Sequence, residues 1–152
     1  MATTALPQVI NGIITAFNAS AGLSGVRIYD GPEVDSTFPG DSIAVGHDGS
    51  DDGEVSVAQV TQSYEQLGNM KQFEDGSVEC FMFTWNGGDS LSVARARAAT
   101  LLSAVDTAIR ADVSFGGACL YSILASHQMS YRQTNAGVAV VVNFSISYRA
   151  RT

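Results

Sequence analysis

The apolar positions of residues 91–109 recur at helical spacing. Leu91, Ala94, Ala98, Leu102, Val105 and Ile109 form one stripe, widened by Leu101 and Ala108, in a run without Gly or Pro. Asp89 or Ser90 stands where an N-cap side chain accepts a first-turn N–H, directly after the turn signal Asn86-Gly87-Gly88. The other side carries Ala96, Ala99, Thr100 and Ser103, small enough to let another surface approach closely. A second stripe, Leu6, Val9, Ile10, Ile13, Ile14 and Phe17, predicts a helix over 6–17. Thr3 or Thr4 would cap it, Pro7 fits its first turn, and Gly22 would stop it.

Elsewhere the period falls to two, which predicts strands at 26–29, 43–45, 54–64, 78–85, 120–131 and 138–148. In 54–64, Val55 and Val57 are in phase and Val60 is out of phase, as a bulge would make them. Residues 78–85 are apolar on both sides, with Val78, Cys80 and Met82 on one and Phe81, Phe83 and Trp85 on the other. Such a strand is central, or half covered by a partner. The clearest alternation is the last, where Val138, Val140, Val142, Phe144, Ile146 and Tyr148 point one way. Residues 33–40 and 47–53 read as loops, 134–137 as a turn, and 65–75 as a loop or the tip of a long hairpin.

The order helix, four strands, helix, two strands predicts one α+β domain over 1–152. Its expected form is a mixed, mainly antiparallel sheet with two helices packed on one face and long hairpins. The aromatic row then lies on the other face, where an exposed row of that kind marks a partner surface.

Composition narrows the function. A chain of 152 residues with 45% hydrophobic content suits a single core. The net charge of -7 gives no general attraction to nucleic acid or anionic membranes. No apolar run is long enough to span a membrane, and residues 1–4 lack the basic start of a signal peptide. Cys80 and Cys119 have neither Cys-x-x-Cys nor metal-ligand spacing, and are expected to be buried, reduced thiols.

The candidate chemistry is thin. Asp48-x-Ser50-x-Asp52-Gly53 imitates the start of an EF-hand loop, yet its last position is Gln59 and its flanks read as strands, so a solvated turn is expected. His47 and His127, with Cys119 or a serine, would supply a nucleophile and base, but no signature accompanies them. Phe115-Gly116-Gly117 lacks the Lys and spacing of a phosphate loop. Arg95 and Arg97 flank the helical stripe; they would run along its edges, pair with acidic neighbours, or reach another copy. Asp106 and Arg110 have ordinary i,i+4 spacing. No catalytic residue, metal or cofactor is expected.

VRIYDGP (Val26 to Pro32), IAVGHDG (Ile43 to Gly49), FMFTWNGGDS (Phe81 to Ser90) and GVAVVVNFSISYRAR (Gly137 to Arg151), in that order, resemble tail terminator proteins of long-tailed phages. The likeness is greatest to those of phages of actinobacteria, which are related in fold to the lambda tail terminator, and it spans nearly the whole chain. It implies a structural virion protein, assembled in the host cytoplasm and placed at the neck of the tail. A hexameric ring would cap the head-proximal end of the tail tube, end its polymerisation and present a surface to the head-completion or connector protein. DNA would pass through the lumen without specific binding. On that picture Phe81, Phe83, Trp85, Arg95 and Arg97 meet a neighbouring copy. The loops at Asp48, Asp51 and Asp52, and at Asn69, Met70 and Lys71, face the tube or the connector. The alternatives are another tail or neck component, such as a tube subunit or head-completion protein, and a small metal-dependent hydrolase using His47, His127 or the acidic loop.

Overall fold

The computed structural model describes residues 3–32, 40–50, 54–68, 70–86, 90–134 and 137–152. The expected turns at Gly87, Gly88 and at Asn135, Ala136, most of the 33–40 loop, and the site residues Asp51, Asp52 and Asn69 lie outside the described residues. So does Asp89, one of the two candidate caps.

The elements are α1 (Leu6–Ala19), a 3-10 turn (Ala21–Leu23), β1 (Arg27–Asp30), β2 (Ser42–Val45), β3 (Ala58–Tyr64), β4 (Gln72–Asn86), α2 (Leu91–Ala111), β5 (Tyr121–Thr134) and β6 (Gly137–Arg151). They make an α+β fold on a six-stranded sheet of order β1-β2-β4-β6-β5, with β3 also paired to β4. The β1–β2 pair is parallel and the others are antiparallel. β4 is central: β3 lies along its first half and β2 along its second, while β6 runs the length of its other edge. That position explains a strand apolar on both sides.

One parity of the sheet supplies the core. Val78, Cys80 and Met82 of β4 and Val140, Val142, Phe144 and Ile146 of β6 are buried together with Val9, Ile13 and Phe17 of α1 and with the inner side of α2. α2 packs on β4, β5 and β6, and α1 on β1, β2 and α2. The inner side of α2 is Ala94, Ala98, Leu101, Val105, Ala108 and Ile109. This corrects the expected stripe, in which Leu91 and Leu102 were central. Leu91 is 39% exposed and Leu102 flanks the core, because the step of three from Ala98 followed by a step of four to Val105 turns Leu101 inward. Ser90 is the N-cap, its Oγ accepting the Val93 N–H at 3.4 Å.

Other expectations also shift. α1 ends at Ala19 rather than at Gly22, and its N-cap is Ala5, which has no capping side chain of its own. Neither Thr3 nor Thr4 stands at the N-cap, although Thr4 Oγ1 accepts the Leu6 N–H at 3.2 Å. β3 begins at Ala58 and pairs without a bulge; the register shift lies instead in β5, between Leu124 and Ser126. β4 begins at Gln72 and pairs directly with β3, so the described residues 65–68 and 70–71 lie at the tip of that hairpin. Gly12 serves close packing: a Cβ there would lie 2.6 Å from Phe115 Cβ, so α1 rests directly on the turn after α2.

Candidate functional site

The odd positions of β4 point away from the core. Cross-strand register sets Phe81 opposite Asn143, Phe83 opposite Val141 and Trp85 opposite Ala139. On the other side of β4, Phe81 meets Ala44 and Phe83 meets Ser42. The chain itself packs on the first of the three aromatic rings, Phe81, which is half-buried like the other two. His47, in the loop after β2, tilts against Phe81 at 37° with ring centroids 5.7 Å apart. A Cβ on Gly49 would sit 2.7 Å from Phe81 Cδ2, and at φ +82 that position also favours glycine. The Arg132 guanidinium of β5 lies 5.7 Å from the centroid of the same ring. Phe83 and Trp85 stay half-buried at the far end of the row.

Farther along the same face the surface turns polar. Gln59, Thr61, Asp75, Ser77, Tyr121 and Ser147 line a shallow depression of about 320 Å³. Arg149 holds Asp75 there in a two-point ion pair at 2.6 and 2.8 Å, which keeps the Asp75 carboxyl below its ordinary range. Beyond it the β3–β4 tip is fastened to the C-terminal strand. Gln72 and Thr152 exchange backbone hydrogen bonds, the Glu65 N–H donates to the Lys71 carbonyl, and Arg151 grips the Glu65 carboxylate. Tyr64, Leu67 and Met70 project from this braced tip into solvent.

The structure separates the expected interface residues. Arg95 and Arg97 belong to the helical layer, not to the aromatic face. Arg95 donates to Tyr131 Oη of β5 at 2.8 Å, and Arg97 Nε pairs with Asp41 Oδ2 at 3.1 Å. Asp48 organises its own loop: its carboxylate accepts the Ser50 and Ser56 N–H groups at 2.9 and 3.0 Å, and these hold its pKa down. His47 Nδ1 accepts the Gly49 N–H at 2.7 Å, and His127 is exposed on β5. Burial pushes the Cys80 thiol up to about 12 and the Cys119 thiol up to about 11, so neither is a thiolate near neutrality. Among the described residues no three His, Cys, Asp or Glu side chains gather as metal ligands.

A residue that the sequence pattern did not single out ties the layers together. Glu74 has the parity of Val78, Cys80 and Met82, and it is completely buried. Its carboxylate accepts Tyr148 Oη–H at 2.7 Å, Gln62 Nε2 at 3.0 Å and the Ala5 N–H at 3.1 and 3.2 Å. It thus caps α1 from the core-facing side of β4. Burial alone would raise its pKa, but the bonds from Tyr148, Thr4, Gln62 and Ala5 outweigh that and hold it lowered. A carboxyl lowered on folding stabilises above its unfolded pKa, about 4.3, and this contribution is lost as pH falls through the folded value. Urea unfolding across that acid range is therefore expected to show a falling stability limb, and Glu74→Gln is expected to make it shallower, leaving the part due to the other lowered carboxyls, Asp48, Glu65, Asp75 and Asp112. Glu79 acts in the opposite sense: burial and the Asp48 charge raise its pKa.

No protein-family model matches the chain, and no curated protein matches it.

Proposed function

We propose that this chain is the ring-forming tail terminator of a long-tailed phage. Copies close into a hexameric ring on the head-proximal end of the tail tube, stop its growth and offer the docking surface for the head-completion protein. The observation that carries this reading is the row of half-buried aromatic rings Phe81, Phe83 and Trp85 on the sheet face away from the core, of which Phe81 also packs against its own chain's His47. A neighbour that covers the row removes aromatic surface from water, and aromatic residues at the centre of a contact carry most of its energy. Such contacts between unlike surfaces close into a ring when the rotation per copy fits.

The mechanism is steric and uses no catalytic group or cofactor. The layer of α1 and α2 lies on one face of the sheet, and the opposite face meets the next copy. The Asp48 loop faces the tube or connector, and a charge of -7 keeps passing DNA from binding through counterion release. Electron microscopy of the purified protein with tail tubes tests the reading. Closed rings at one end of tubes of limited length are expected. A protein that stays monomeric while tubes grow past normal length contradicts it, and open-ended polymers of the protein alone would mark a tube subunit.

A further inference from the structure

We infer that the Glu79 carboxylate of one copy binds the Arg110 guanidinium of the next; this rests on the ring reading above. Glu79 has the parity of Phe81, so it lies on the aromatic face of β4. Register sets it opposite Ser145, which faces Ser126 of β5, while Asn143 faces both Phe81 and Gln128. With Ser126, Gln128 and Asn143 it lines a depression of about 260 Å³. Its backbone is fixed there: the N–H donates to the Val57 carbonyl, and the carbonyl accepts the Gly46 and His47 N–H groups. The carboxylate, in contrast, accepts no hydrogen bond and enters no ion pair among the described residues. It is half-buried, and burial and the Asp48 charge both disfavour its charged form. Asn143 Oδ1, at the same depression, is buried and also lacks a donor. Arg132, on the same face, lies against the Phe81 ring. What the depression lacks is a donor with a positive charge, and a guanidinium is both.

The placement of the arginines selects the partner group. Arg27, Arg132, Arg149 and Arg151 share the sheet face with Glu79, by the register of their strands. A contact of that face with itself is two-fold and stops at a dimer, whereas a ring joins unlike surfaces. Arg95, Arg97 and Arg110 stand instead on α2, in the layer behind the sheet. Arg95 is held to Tyr131 Oη, and Arg97 to Asp41, whose side chain is only 16% exposed. The Arg110 side chain is 76% exposed. It is tied by Nε alone, to Asp106 Oδ2 at 2.8 Å, and its two terminal nitrogens engage no group among the described residues. Those nitrogens form the fork that a carboxylate accepts, so Arg110 can bridge to the next copy without giving up its own pair.

Sedimentation of charge-reversal variants tests the pair. Glu79→Arg and Arg110→Glu are each expected to raise the concentration at which rings form about tenfold, and the double variant to return it to within about threefold of the original. Melting curves on the same samples check folding. If Glu79→Arg does not fold, Glu79→Gln and Arg110→Ala replace the reversals, and together they are expected to weaken rings no more than either does alone. Several results overturn this pairing and leave the ring reading standing: rings indifferent to either reversal, a double variant as weak as the singles, additive losses in the second set, or equal rescue of Glu79→Arg by Arg97→Glu. An unaltered protein that forms no rings, with or without tubes, overturns both.

Discussion

Gly76→Ala is expected to cost about 2–4 kcal/mol of unfolding free energy, a large effect for one methyl group. Gly76 lies directly opposite Tyr148 on β6, and the Tyr148 ring crosses over it. A Cβ at Gly76 would stand 2.5 Å from Tyr148 Oη and closer still to the ring carbons. Gly76 is not among the positive-φ glycines, so its backbone suits any residue and the cost is one of space. Moving the ring also breaks the 2.7 Å bond to Glu74, which strips a donor from a buried carboxylate and loosens the cap of α1. Urea unfolding of Gly76→Ala, Tyr148→Ala and the double variant checks this. With the ring removed, the Gly76→Ala step is expected to cost less than about 0.5 kcal/mol. An equal cost in both backgrounds would show that the crowding with Tyr148 is not the cause.

Trp85→Ala is expected to damage assembly far more than folding. Trp85 is half-buried, so its removal is expected to cost the fold about 1–2 kcal/mol, below the roughly 3–5 kcal/mol of a fully buried aromatic. Lost from the centre of a contact, it removes about 2 kcal/mol or more per interface, close to thirtyfold in each dissociation constant. Phe81→Ala should behave differently, because His47, Gly49 and Arg132 already pack on that ring and its loss disturbs the loop after β2. Melting curves set beside sedimentation profiles separate the two. Equal losses of stability for Phe81→Ala and Trp85→Ala, with assembly intact in both, would make the whole row ordinary packing.

The parts of this architecture legible in the sequence are those where one element carries its own signal. The unbroken alternation of β6 and the stripe of α1 each identify an element and its buried side, and the two-sided apolarity of β4 identifies a central strand. What escapes local pattern depends on register between distant segments. Glu74 sits in a polar stretch that reads as a loop or exposed tip, and its partner Tyr148 lies 74 positions away. Its signal was its parity with Val78, Cys80 and Met82, which becomes visible only once β4 is extended back to Gln72. Leu101 and Leu102 compete for the core from adjacent positions, and the packing against β4, β5 and β6 decides between them. For the candidate surface, the aromatic row was legible as a row. The packing on Phe81 and the pairing of Arg97 with Asp41 were not, because both join segments far apart in the chain.

Trp85 is the only tryptophan in the chain, so its fluorescence reports on the proposed contact alone. Emission and iodide quenching should be followed across protein concentration, with mass measured by sedimentation on the same samples. The account predicts that emission shifts to the blue and quenching falls at the concentration where a closed ring replaces the monomer. A ring that forms while Trp85 stays as accessible as in the monomer would contradict it, as would a monomer at every concentration, with tail tubes present or absent.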